Sequence, residues 1–372
     1  IIQACIDWIG QGKEPHRKSG IMIRKSLDPC SQFVCIANHG DGLISFQFRD
    51  VPNGQTSEIR FTDSLLSFIQ LEKNNEEIIA STCLFGNDTN NIEKRKFDFI
   101  NDSVYVGLFV CSHNPDVIES CKFYNVRLYS KIKENFIPYT DYIGSRLEYL
   151  NVIDGKRQII YETTDAIEAP NVSKDDNYVV FNSKGLIYYF PLFENIGPQK
   201  INTNFATSNN NDHGLSPDGK FLAISHHDSK LKQGENSIIY ILPVNGGIPI
   251  QVTAKGPSYW HSWSPDGKFL MYTAKRNGNW NIFRINIDSR EEEQITYDNN
   301  CLNDGPDYSP DGKYIWYNSN RSGTMQIWRM KNDGTEQIQI TDDKYQNWFP
   351  HPSPDGKMIV FLSYPPEIGE WD

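Results

Sequence analysis

Apolar and polar residues alternate along most of the chain, and stretches with the i, i+3, i+4 spacing of an amphipathic helix are missing. The segment from 259 to 296 shows the pattern. Tyr259-Trp260-His261-Ser262-Trp263 predicts a short strand and Ser264-Pro265-Asp266-Gly267 a turn. Proline presets φ at the second turn position, aspartate caps locally and glycine ends the turn. Lys268-Phe269-Leu270-Met271-Tyr272 and Asn281-Ile282-Phe283-Arg284-Ile285 predict two more strands around Asn277-Gly278-Asn279. A short fourth strand, Glu293-Gln294-Ile295-Thr296, follows Asp288-Ser289-Arg290. Hairpin turns rich in Asn, Asp and Gly are what an antiparallel meander requires.

This unit recurs. Ser216-Pro217-Asp218-Gly219, Ser264-Pro265-Asp266-Gly267, Ser309-Pro310-Asp311-Gly312 and Ser353-Pro354-Asp355-Gly356 repeat, and Ser173-Lys174-Asp175-Asp176 is a degenerate copy. The Ser-to-Ser steps are 43, 48, 45 and 44 residues, the length of a four-stranded propeller blade. One blade exposes both faces, whereas a ring of blades buries each face against a neighbour. Five units span roughly 165 to 372. Leu147 to Val152 and Gln158 to Tyr161 resemble the last two strands of a preceding blade, and the final unit stops at its second strand, Met358 to Leu362. The two halves could pair and close a five-bladed ring, or about one more blade is missing; the opening, Ile1-Ile2-Gln3-Ala4-Cys5-Ile6, reads as a strand in progress, so the favoured expectation is a fragment shortened at both ends.

The Ser-Pro-Asp-Gly-Lys turns, the Ile/Trp-Arg third strands and the Gln-Ile-Thr endings resemble the WD40-like repeats of TolB-type β-propellers, over residues 145 to 372. The resemblance implies six blades, of which about five are covered, and an exported, periplasmic or extracellular protein.

Residues 1 to 130 also alternate. Strands are expected at 20–24, 33–37, 43–49, 59–61 and 66–71, with His39-Gly40-Asp41-Gly42 as a hairpin turn. The wholly apolar Val104 to Val110 reads as a central strand, and Cys121 to Leu128 closes the set. Many short strands predict a β-sandwich. Gly20-Ile21-Met22-Ile23-Arg24, Gly40-Asp41-Gly42-Leu43, Tyr105 to Val110 and Phe123 to Arg127 resemble concanavalin-like (laminin-G-like) domains, which implies a binding module. Residues 131–144, with Pro138 and Gly144, form the expected linker. The fold class is therefore all-β, a concanavalin-like sandwich followed by a TolB-like propeller.

With 36 Lys+Arg against 47 Asp+Glu the net charge is −11, which disfavours a nucleic-acid groove. The best apolar run, Val104 to Cys111, is too short to span a membrane as a helix. Cys5, Cys30, Cys35, Cys83, Cys111, Cys121 and Cys301 form no CxxC pair, so free buried thiols are expected over a zinc site, with a disulfide or two open if the protein is exported.

His213, His261 and His351 precede three of the turns, on strands that line a propeller channel. Three imidazoles from different blades could share a divalent metal. His213 and His261 stand three residues before Ser and His351 two, so alternation points His351 elsewhere. Asn171, Asp212, Asp304 and Asp307 share this zone and would complete a polar channel mouth for a cation, sugar or peptide. Trp260 and Trp348 lie at strand entrances and could stack on a sugar, whereas Trp263 and Tyr308 read as interblade packing. Trp280, Trp316, Trp328 and Trp371 complete the propeller's tryptophans. His39, Asp41 and Arg49 cluster near one hairpin, chiefly as a turn. No phosphate loop, nucleophile elbow or zincin motif is present.

The leading expectation is a non-catalytic binding protein for a glycan or a cell-envelope protein. One alternative is an enzyme resembling oligogalacturonate lyases, whose channel histidines hold a metal for β-elimination. Another is a TolB-like assembly scaffold.

Overall fold

The computed structural model describes residues 1–62, 68–83, 91–129, 135–137 and 141–366. Leu66 and Ser67, half of the expected linker including Pro138, and Trp371 lie outside these residues. The chain divides into Ile1–Glu162 and Thr163–Asp372.

The first unit contains β1 (Ile2–Trp8), β2 (Lys18–Arg24), β3 (Phe33–His39), β4 (Ile44–Arg49), β5 (Ser57–Arg60), β6 (Phe68–Asn74), β7 (Glu77–Cys83), β8 (Asn91–Lys96), β9 (Tyr105–Cys111) and β10 (Cys121–Leu128). They form two five-stranded sheets, β10-β1-β6-β7-β8 and β5-β4-β3-β2-β9, with antiparallel pairings throughout. Alternate residues of both sheets meet in one core. Ile2, Ala4, Ile69, Leu71 and Ile78 come from one sheet, and Ile21, Ile23, Val34, Ile36, Ile44 and Phe46 from the other. The hairpin β11 (Ser145–Leu150) and β12 (Arg157–Thr163) groups almost wholly with this unit. Arg127 of β10 pairs with Glu148, and the Arg157 amide donates to Asn125 Oδ1 at 3.1 Å.

One expectation is corrected. The strand at 104–110 is not central: β9 pairs with β2 alone in the sheet order, and Val106, Leu108 and Val110 stay 41, 43 and 48 % exposed. A continuous apolar run signals burial on both faces only when strands flank it on both edges, and hydropathy alone does not report that. The turn expectation at Asp41 holds, with Leu43 N donating to Asp41 Oδ1 at 3.1 Å. His39 and Arg49 separate: His39 contacts Ser45, and Arg49 donates to Pro29 O and Ser31 O. All seven thiols are free.

The second unit is a series of four-stranded antiparallel meanders, blades I to IV, at 168–200, 209–251, 258–294 and 303–339. A two-stranded blade V follows at 346–364. The first strands are Glu168–Val172, Asn209–Leu215, Ser258–Trp263, Asn303–Tyr308 and Gln346–Pro352. Each touches the first strand of the next blade, so these strands gather on the inner side. Strand alternation then builds the seams. Leu222 and Ile224 face blade I, where they meet Val180 and Ile187, while Ala223 faces blade III with Trp260, Trp263 and Tyr272. Met271 and Ile282 meet Tyr308, Ile315 and Tyr317 of blade IV.

The repeated turn has a concrete structure. Ser309 Oγ donates to Asp311 Oδ1 at 2.7 Å, and the same oxygen accepts Lys313 N at 3.1 Å. Tyr314 N donates back to Ser309 Oγ at 2.9 Å, and Gly312 N to Ser309 O at 2.8 Å. Gly219, Gly267, Gly312 and Gly356 hold φ between +69° and +72°, which glycine adopts without strain. In the degenerate copy Asp176 takes that place at φ +57°. The Gln-x-Thr endings also follow a rule: Thr253, Thr296 and Thr341 each accept a third-strand amide through Oγ1.

The Ser309 hydroxyl, with Lys313, holds the Asp311 carboxyl down at about 2. In Ser309→Ala we expect that carboxyl to titrate upward by NMR and the unit to lose about 1–2 kcal/mol in denaturant melts. An unchanged titration would remove the hydroxyl from the account of the motif.

Candidate functional site

The inner strands carry extra residues, two in blade II and one in each of the others. Pairing register with the second strand slips between Glu168 and Asn171, Asn209 and His213, Trp260 and Ser262, Asp304 and Asp307, and Trp348 and His351. Such bulges break alternation and re-aim side chains. Four residues before the turn serine, Ala169, Gly305 and Phe349 take positive φ values of +46°, +60° and +51°. Glycine is required at 305, because a Cβ there would fall 2.6 Å from Asn318 Oδ1 and 2.8 Å from the Phe349 ring.

The bulges bring part of the expected mouth together. His261 Nε2 lies 3.0 Å from Asp304 Oδ1, an ion-pair distance whose N–H direction misses a hydrogen bond. Asp212 faces the same group. Burial pushes its carboxyl up to about 6, with the Asp304 charge adding, while His261 opposes the shift. Burial acts against the His261 imidazolium too, but Asp304, Asp212 and Asp307 together raise it above the ordinary histidine value. Burial likewise works against ionised Asp304, yet His261 beside it holds that carboxyl below the usual range. The Phe349 ring stacks on His261, with centroids 5.9 Å apart and planes at 25°. Nothing in the hydropathy pattern marked Phe349. The signal available was its equivalence to Gly305.

The residue two before each turn serine stitches neighbouring blades. Asn171 Nδ2 donates to His213 O at 3.0 Å, and Ser262 Oγ to Pro306 O at 2.9 Å. His351 Nδ1 meets Asp307 Oδ2 at 3.0 Å, with the His351 side chain 60 % exposed. At Gly214 the backbone serves instead, its carbonyl accepting Trp263 Nε1 at 3.2 Å.

Other expected members lie elsewhere. His213 is buried, with Nδ1 2.9 Å from Asn211 O and Nε2 3.5 Å from Val180 O. Burial drops its pKa to about 4, so the ring is neutral. His213, His261 and His351 thus engage three different partners. Among the described residues no three His, Cys, Asp or Glu groups are placed to hold one metal ion. The donor set does not fit the metal that the lyase resemblance implies. Trp260 and Trp348 are 6 and 8 % exposed and pack in blade seams. What remains is a carboxylate-rich inner cluster, Asp212, Asp304 and Asp307 around His261, suited to a positively charged or hydrogen-bond-donating group.

Radially gathered four-stranded meanders, each with an aspartate turn between its first and second strands, define a β-propeller of the TolB type. Residues 256–367 match the TolB beta propeller domain. The chain is 46 % identical over 224 residues to the uncharacterized protein Atu1656 of Agrobacterium fabrum, covering 60 % of this chain and 75 % of that one. It belongs to this TolB-like propeller family. Among solved structures it is similar to a candidate TolB from Agrobacterium tumefaciens, with 46 % identity and a TM-score of 0.56, covering 59 % of this chain and 78 % of that one. TolB from Acinetobacter baumannii shares the fold at 22 % identity and a TM-score of 0.50, covering 58 % of this chain and 53 % of that one. Among the described residues no helix is long and apolar enough to cross a membrane.

Proposed function

We propose that this is an exported binding protein of the cell envelope whose propeller takes a basic segment of a partner protein at the inner cluster. The observation that carries this reading is the charge balance there: three carboxylates, two of them opposed by burial, face one well-enclosed imidazole. An incoming ammonium or guanidinium supplies the missing positive charge in a weakly hydrated site, where charge-assisted hydrogen bonds are strongest. The net charge of −11 draws such a partner in. The TolB-type fold supports a location in the periplasm or outside the cell.

The first unit supplies a second contact under the same proposal. Its two five-stranded antiparallel sheets around one core support the concanavalin-like reading, and with it recognition of a glycan.

The test is an array carrying basic peptides, acidic peptides and glycans, probed with the full chain and with Asp304→Asn, with and without chelator. Retention of basic peptides, at least tenfold weaker for Asp304→Asn and indifferent to chelator, is expected. Binding only to acidic peptides, or turnover of an acidic oligosaccharide, overturns the proposal.

A further inference from the structure

Among the described residues the two five-stranded sheets of the first unit have four outermost strands, and three of them are protected. β5 carries Glu58 and Arg60, β8 carries Glu93, Lys94, Arg95 and Lys96, and β10 carries Lys122 and Arg127. Charges on edge strands discourage further pairing. β9, Tyr-Val-Gly-Leu-Phe-Val-Cys, has no charge and no proline. It pairs with β2 through all seven residues without a bulge, and no described strand pairs with its other edge, which is therefore regular as well as bare among the described residues. Val106, Leu108 and Val110 lie on the same side of the sheet as Ile21 and Ile23, which are buried in the core. Their own exposure marks the place where the sheet stops short.

We propose that β9 pairs antiparallel with β9 of a second copy of this chain, about a two-fold axis through Leu108, so that the two β9-bearing sheets become one continuous sheet. The occupant is chosen by the strand's own pattern. In this register Val106 faces Val110 of the other copy and Leu108 faces Leu108, which sets the apolar stripe against itself. On the opposite side Tyr105 faces Cys111 and Phe109 faces Gly107, so each ring meets a small residue. Shifting the register by one pair either way sets Tyr105 against Phe109 or Phe109 against itself. Gly107 has no heavy atom within 4 Å of where a Cβ would stand, which leaves that flank open. The Phe109 ring already lies across Gly20 on its other side, and an aromatic flanked by strand glycines is a stabilising cross-strand arrangement. No like charges meet along the strand. One strand pair forms a small interface, so the dimer is weak.

Sedimentation of the full chain from about 1 to about 200 µM tests this. A monomer–dimer equilibrium is expected, abolished by Leu108→Lys and untouched by Val360→Lys on the last propeller strand, another exposed apolar position. In Tyr105→Cys the new thiol faces Cys111 of the other copy at cross-strand distance, and mild oxidation should yield a covalent dimer that Cys111→Ser removes. Within one chain the two positions end the same strand, about 20 Å apart, and cannot bridge. A chain that stays monomeric throughout overturns the proposal. So does a dimer lost in Val360→Lys but kept in Leu108→Lys.

Discussion

Replacing Gly214 with alanine is expected to lower the unfolding midpoint of the propeller unit by about 10 °C, from a loss of about 3 kcal/mol. A Cβ at this position would stand 2.1 Å from the Trp260 ring, far inside contact distance. Trp260 cannot retreat, because it is packed with Trp263, Leu270 and Tyr272 in the seam between blades II and III. The carbonyl of Gly214 also accepts Trp263 Nε1, so any backbone shift that relieves the clash strains that bond. Gly197→Ala is the control, since its Cβ would meet nothing within 4 Å. Thermal unfolding followed by tryptophan fluorescence reads both variants. Equal midpoints for the two would show that the Trp260 seat is not a packing constraint.

Asp212→Asn is expected to stabilise the protein at pH 8 by about 2 kcal/mol and to leave it nearly unchanged at pH 4. Burial raises the Asp212 carboxyl from 3.8 to about 6, so the folded chain holds this proton more tightly than the unfolded chain does. The stability tied to that proton is complete below pH 3.8 and is lost as pH rises through 6. Asparagine cannot ionise and escapes the loss. Partial access of Asp212 to solvent keeps the gain below what complete burial would give. His213 works the other way: with its pKa lowered to about 4, stability falls as pH drops from 6.5 towards 4. Comparing the variant with the parent at each pH cancels the histidine. Denaturant melts at pH 4 and pH 8 with the same difference at both would sink the assignment.

The repeat was legible in the amino-acid sequence because its turn is chemically demanding. Serine, aspartate and a residue tolerant of positive φ must stand at fixed offsets, so the pattern survives in letters even where Asp176 replaces glycine. The inner cluster was legible only in part. Asp212, His261 and Asp304 were expected together and do meet. Alternation was the wrong guide to His213, His261 and His351, because every inner strand is bulged between its entrance and its turn. A one-residue slip moves later residues to the other face, the two-residue slip before His213 restores it, and no hydropathy rule locates extra residues within a short polar strand. Trp260 and Trp348 were misjudged for a related reason: an aromatic near a strand entrance reads the same whether it faces solvent or a neighbouring blade.

Blades II and III send alternate residues of their second and third strands to opposite neighbours, so neither sheet owns its hydrophobic centre. Cohesion resides in the joints. Such a ring lengthens or shortens by whole modules, since duplicating one meander creates one more joint of a kind already solved. The penalty for a defective module falls on the two beside it, and selection on this fold therefore acts on adjacent pairs.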